Sequence, residues 1–150
     1  MANSFNQTYI HYVFSTKHRK PLIKPDFEKR LWAYIAGIGK HNGFHIITSG
    51  GMPDHAHILL ELSKTITISQ TIQKIKGNSS KWINDEFYPN REFSWQAGYG
   101  AFSIGRSGLK HAIRYIQNQK KHHEQKTLKE EFLDLLNKYN VDYDERYLWD

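Results

Sequence analysis

The segment GGMPD, Gly50 to Asp54, is a turn sequence with a strand-like run on each side. Glycine, proline and aspartate supply the backbone angles and local hydrogen bonds of a tight reversal. FHIITSG (Phe44 to Gly50) precedes it and HAHILLEL (His55 to Leu62) follows it. Both runs read as strands, so they predict a hairpin. A central hairpin restricts the topology around it, because the flanking segments change period. Upstream, Phe27, Leu31, Tyr34, Ile35 and Ile38 fall at helical spacing, with Pro25 placed to open that helix and Gly43 to end it. Downstream, Ile68, Ile72, Ile75 and Trp82 mark the buried stripe of a second helix from about Thr67 to Phe87. Gly77 and the Ser79-Ser80 pair weaken its middle and predict a bend.

The remaining elements complete a recognisable order. TYIHYVFST (Thr8 to Thr16) is a first strand, and AFSIG (Ala101 to Gly105) a short fourth. A third helix is expected from near Ser107 to about His123. TLKEEFLDLLNKY forms a fourth, with Thr127 and Glu130 at capping-box spacing and Leu128, Phe132, Leu135 and Leu136 on its apolar face. Tyr143, Tyr147 and Trp149 give the tail apolar groups with which to dock on the core or on a partner. The order β-α-β-β-α-β-α-α begins with the six elements of a ferredoxin-like sandwich, an α+β fold with an antiparallel sheet. Helices would cover one sheet face, leaving the other for a ligand or a second subunit. With no repeat, low-complexity stretch or long linker, residues 1–150 are read as one domain, with its core at about 9–123 and a C-terminal helix and tail at 126–150.

Composition narrows the chemistry. The chain has no cysteine, which excludes disulfides, thiolate metal sites and cysteine nucleophiles. No apolar run approaches the roughly 18 residues of a membrane span, and MANSFNQTY lacks the charge pattern of a signal peptide. A soluble cytoplasmic protein with no membrane partner is therefore expected. The formal charge is +6, a field that favours polyanions. Aromatic residues are 14% of the chain, enough to offer bases stacking surfaces beyond those used in the core.

Two stretches carry candidate chemistry. His55 and His57 share one face of their strand, where two imidazoles can grip a metal ion. The plainer alternative is a pair of polar residues on a solvated face. Glu61 falls on the same face, as a supporting group or an exposed charge. In HAIRYIQNQKKHH (His111 to His123), Tyr115 and Gln119 lie one helical turn apart. A helical tyrosine is ordinarily a core ring, but Lys110, Arg114, Lys120 and Lys121 surround this one with positive charge. A phenol becomes a useful nucleophile where a metal or cations stabilise the phenolate or its target. His122 and His123 either support the site or end the helix favourably. Lys17, His18, Arg19 and Lys20, and Lys74, Lys76 and Lys81, form two basic runs that are either solvated or phosphate-binding.

Taken together, these stretches resemble a known family. His55-Ala56-His57 is similar to the His-hydrophobic-His motif of the HUH endonuclease superfamily. YIHYVFSTKHR (Tyr9 to Arg19), WQAGYGAFSI (Trp95 to Ile104) and YIQNQKKHH (Tyr115 to His123) resemble one branch, the single-tyrosine transposases of the smallest bacterial and archaeal insertion sequences, the IS200-like family. The resemblance implies that His55, His57 and Gln119 hold Mg2+ or Mn2+, although imidazole donors alone suggest softer ions such as zinc. It implies that Tyr115 attacks a DNA phosphodiester, forming a 5′-phosphotyrosine link and freeing a 3′-OH. The implied substrate is single-stranded DNA with hairpins at the element ends. Lys17, Arg19, Lys74, Lys76, Lys81, Arg114, Lys120 and Lys121 are the candidate DNA contacts. The resemblance also implies a homodimer with joined sheets, in which one chain's tyrosine helix can complete its partner's site. Two other readings stay open: a nucleic-acid hairpin-binding module of the same fold without activity, and a small-molecule metallohydrolase, which leaves Tyr115 and the charge unexplained.

Overall fold

A computed structural model describes residues 4–150. Four strands, β1 (Tyr9–Ser15), β2 (His45–Met52), β3 (His55–Glu61) and β4 (Gly100–Ile104), form one sheet in the order β2-β3-β1-β4. Every neighbouring pair is antiparallel. Helices α1 (Glu28–Asn42) and α2 (Ile68–Phe87) separate the strands as expected, and α3 (Leu109–Gln117), α4 (Gln119–His122) and α5 (Leu128–Lys138) follow the last strand. This is the ferredoxin-like arrangement; β2 runs past its expected end at Gly50 to Met52, so the turn narrows to Pro53-Asp54, which close the β2–β3 hairpin.

One sheet face builds the main core. Ile10, Tyr12 and Phe14 of β1 and Ala56, Ile58 and Leu60 of β3 meet Leu31, Ile35 and Ile38 of α1 and Ile72, Ile75 and Ile83 of α2. Gly43 ends α1 in the left-handed region at φ 80°, where a side chain would be strained. Pro25 stands in a turn ahead of α1 rather than opening it. α2 runs unbroken through Gly77, with the Ser79 and Ser80 hydroxyls donating to carbonyls three residues back. A small polar residue at position 79 also serves the packing: the buried Ser79 hydroxyl accepts from the Trp95 indole at 3.0 Å.

The second sheet face is covered, against expectation. α3 lays Ala112 and Ile116 on Leu59, while Phe132 and Leu136 of α5 and Leu148 of the tail pack with Val13 and Phe102. All seven residues of β1 are buried, so both faces of this central strand needed cover. The tail docks on its own chain: Trp149 lies against Phe132, and the Asp150 carbonyl accepts from Gly98 N–H and the Gln96 amide. Tyr143 and Tyr147 stay exposed.

Two details set the depth of the C-terminal helices. The expected helix from Ser107 to His123 is broken at Asn118 (φ −101°, ψ 23°), which ends α3 and caps α4. Asparagine favours such local departures because its side chain competes for backbone hydrogen bonds. α3 also approaches β2 closely at Gly50, where a Cβ would stand 2.6 Å from the Ile116 carbonyl oxygen.

Candidate active site

β3 begins by placing His55 and His57 on the covered second face, and both side chains are completely buried. Their Nε2 atoms converge on one carboxylate oxygen, Glu131 Oε1, at 3.5 and 3.0 Å. Gln119 Oε1 is 3.0 Å from His55 Nε2. The other oxygen, Glu131 Oε2, accepts from the Tyr115 hydroxyl and from Gln119 Nε2 at 2.9 Å. His123 Nε2 closes the cluster, 3.2 Å from Gln119 Oε1 and 3.1 Å from Glu131 Oε1. All these residues belong to one chain.

The outer imidazole nitrogens are held as well. His55 Nδ1 meets Asp54 Oδ1 at 2.8 Å, and His57 Nδ1 meets His11 Nε2 at 2.8 Å. A carboxylate can only accept, so His55 carries its proton on Nδ1 toward Asp54. Glu131 and the Gln119 carbonyl likewise only accept, so each histidine donates to them through Nε2, and His57 accepts at Nδ1 from His11; a cation would displace the Nε2 protons, with Asp54 and His11 then able to accept from the outer nitrogens. This is the orientation that a partner on the outer nitrogen gives to a metal-binding histidine.

The donors fit a divalent cation. Two ligands at right angles, each about 2.1 Å from an ion, stand about 3.0 Å apart. The His55, His57 and Glu131 donor atoms all lie within 4.8 Å of one another. Gln119 adds an amide oxygen, so two nitrogens and two oxygens face the same point.

The electrostatics of the cluster follow from its burial and its carboxylates. Burial opposes charge on His55, but hydrogen bonds to Asp54 and Glu131 and their negative charges override it and hold its pKa up at about 9. Burial pushes His57 down, and it pushes His11 to about 3 with help from the neighbouring His57. Burial would raise Glu131, yet its bonds to His123, His55 and His57 hold it far below the usual carboxylate range. Tyr115 is raised, first by burial and then by the Glu131 charge. An anionic carboxylate thus sits among imidazoles, and its charge disfavours the Tyr115 phenolate.

Tyr115 opens onto a cavity of about 420 Å³ between β4, α3 and α5. Its walls include His111, His122, Lys126, Lys138 and Tyr139. The His122 ring lies 4.6 Å from the Tyr115 ring.

The structure brings together His55, His57, Gln119 and Tyr115. It separates Glu61, which sits at the far end of β3 opposite Tyr9 and His45. Lys17, Arg19, Lys74, Arg114 and Lys121 are exposed, with the Arg19 guanidinium 4.9 Å over Trp149. Lys81 pairs with Asp85, and Lys120 with Glu28. Lys76 is not a free cation. Its ammonium donates to the carbonyls of Gln96, Ala97 and Gly98 at 2.9, 3.3 and 2.6 Å, and burial lowers its pKa to about 8. Lys74, Lys76 and Lys81 all lie on α2, which packs on the sheet face away from the histidines.

Sequence reasoning misses three members of the cluster. Glu131 falls between Leu128 and Leu135 on the apolar stripe of α5, and a carboxylate there is the detectable signal. His11 interrupts an otherwise apolar strand, and Asp54 reads first as a turn former.

Residues 4–119 match the family model described as "Transposase IS200 like". The chain belongs to the IS200-like transposase family. Among its relatives are the transposase for insertion sequence element IS200 of Salmonella typhimurium, 27% identical over 115 residues (73% of this chain, 74% of the relative), and the ISDra2 transposase TnpA of Deinococcus radiodurans, 23% identical over 118 residues (75% and 84%). The fold is shared with a transposase candidate from Deinococcus radiodurans R1 (TM-score 0.64, 21% identity, 79% of this chain and 95% of that one). It is also shared with a REP-associated tyrosine transposase bound to a REP hairpin (TM-score 0.60, 15% identity, 82% and 73%). The family match ends at Gln119, so His123 and Glu131 stand outside it. Among the described residues no helix is long and apolar enough to cross a membrane.

Proposed function

We propose that this family member cleaves and rejoins single-stranded DNA at insertion-sequence ends, with Tyr115 as nucleophile and Mg2+ or Mn2+ held by His55, His57, Gln119 and Glu131. The observation that carries the reading is the meeting, within one chain, of the Tyr115 hydroxyl and the two histidine Nε2 atoms around a single carboxylate. The bound cation would supply Lewis-acid polarisation of the scissile phosphate and offset the negative charge that raises Tyr115. Tyr115 Oη forms a bond to phosphorus and its proton leaves to the surrounding carboxylate or solvent. The bond from phosphorus to the 3′-oxygen breaks, and that oxygen takes a proton to become a 3′-OH. Rejoining is the reverse with another 3′-OH, and the phosphotyrosine link conserves the bond energy. The cavity beside Tyr115, walled by His111, His122, Lys126 and Lys138, is a place for the strand that flanks the scissile phosphate, with exposed Arg114, Lys121, Lys17 and Arg19 available to the backbone beyond it. Hairpin DNA at the element ends is the proposed substrate form, as the hairpin-bound structural neighbour suggests. The protein is proposed to act as a homodimer.

The test is a covalent-adduct assay. Wild type and Tyr115→Phe are incubated with single-stranded oligonucleotides from both flanks of the gene, with Mn2+ or Mg2+, and resolved on a denaturing gel. A metal-dependent shifted band from wild type alone is expected. Tight DNA binding by wild type with no band would replace strand transfer by a binding-module role.

A further inference from the structure

The C-terminal helix α5 lies beyond the family-matched residues 4–119, yet it sends a buried side chain into the centre of the site. Glu131 uses both oxygens. Oε1 faces His57, His55 and His123, and Oε2 holds Tyr115 Oη and Gln119 Nε2. Among the described hydrogen bonds and ion pairs it is the residue joined to both histidines and to the tyrosine.

We propose that Glu131 is the residue that couples the metal-binding group to the tyrosine, setting the position of the Tyr115 hydroxyl and the orientation of the Gln119 amide. The inference rests on the strand-transfer reading for its consequence, but its geometry is independent. A carboxylate only accepts hydrogen bonds, so Gln119 must turn its NH2 toward Oε2. Its carbonyl oxygen is thereby turned to His55 Nε2, 3.0 Å away, where a cation needs an oxygen donor. The same Oε2 accepts from Tyr115, so the phenol and the amide are fixed to one atom. Oε1, bonded to the same carbon, stands among the histidine nitrogens. The spacing between the Tyr115 hydroxyl and the histidine nitrogens that would hold the cation is therefore set by one rigid, planar group. α5 is locked in register to deliver it: the Thr127–Glu130 capping box fixes its first turn, and Phe132 and Leu136 anchor it on Val13 and Phe102. The C-terminal helix is thus part of the active site and not an appendage that merely covers the sheet.

The deciding variant is Glu131→Gln, which keeps the volume but offers an NH2 where both oxygens accept. Calorimetric titration with Mn2+ is expected to show affinity weakened by about 10- to 100-fold, the scale on which groups that orient metal ligands act. Adduct formation, measured with flank oligonucleotides at Mn2+ concentrations that saturate each protein, is expected to stay about 100-fold slower, because a misplacement of about 1 Å has that effect. A defect that persists at saturating metal separates the hold on Tyr115 from metal binding alone. Wild-type Mn2+ affinity with a wild-type adduct rate in Glu131→Gln would overturn the inference. Thr127→Ala, which loosens α5 without touching the cluster, is the structural control: losses equal to those of Glu131→Gln at matched melting temperature would also overturn it. Should wild type itself form no adduct, strand transfer fails as a reading, and the Mn2+ titrations alone still decide whether Glu131 organises the metal group.

Discussion

Replacing His11 by phenylalanine removes one hydrogen bond at a known place and no charge. His11 is buried in the central strand, and its Nε2 lies 2.8 Å from His57 Nδ1. Burial holds its pKa near 3, so at neutral pH it is an uncharged imidazole. His57 is completely buried, and its Nε2 is engaged with Glu131, so no other described group takes over the bond at Nδ1. An orphaned buried polar atom costs about 1–3 kcal/mol. In a domain of this size each kcal/mol corresponds to roughly 2–4 °C in Tm, so His11→Phe should melt about 2–12 °C below wild type. The larger signature is in metal binding. Without an acceptor at Nδ1, His57 keeps its proton on Nε2, the atom the cation needs, and Mn2+ affinity should fall by about 10- to 100-fold. His11→Asn, which can still accept through its side-chain oxygen, should recover part of that affinity. Differential scanning calorimetry and Mn2+ titration read the two effects. Unchanged Mn2+ affinity in His11→Phe would refute the orienting role, whatever happens to Tm.

Two further outcomes are expected. Because the folded pKa of His11 is lowered to about 3 from 6.5, the unfolded chain binds more protons between those values, and stability contributed at neutral pH is lost as pH falls through that window; urea melts of wild type and His11→Asn from pH 7 to pH 4 should therefore diverge least at the acid end, and parallel curves would contradict the shift. Lys76→Met should lower stability by about 1–3 kcal/mol by releasing the Gln96–Gly98 carbonyls, while leaving the salt dependence of DNA binding unchanged; a slope reduced by about one would show that Lys76 contacts phosphate after all.

The sequence was most legible where one local pattern had one outcome. GGMPD between two apolar runs marked a reversal, although only Pro53-Asp54 make the turn, and with it came the hairpin, the shared face of His55 and His57 and the ferredoxin-like order. Thr127 with Glu130 located the start of α5. The cover over the second sheet face was harder to read, because no residue in β1 says which helix will meet Val13. Glu131 was obscured for a related reason. On a helix read alone, a glutamate beside Leu128 and Phe132 looks like a charge at the stripe's margin, and only the folded chain brings it to histidines 74 and 76 positions away in sequence. The break at Asn118 depends on the same tertiary fit, since Tyr115 and Gln119 keep their helical spacing on either side of it.

Gly50 bears on the chemistry without a side chain of its own. It pairs with His57 across the sheet, and the Ile116 carbonyl rests where its Cβ would be. Ile116 directly follows Tyr115. A single methyl group at position 50 would have to lift the whole turn that bears the phenol, while the histidines on the neighbouring strand stayed put. The reach of the tyrosine is thus gauged from the floor of the sheet, and the gauge is an empty space. Variation at this position would look like an active-site defect to anyone assaying the protein, although the altered residue carries none of the chemistry.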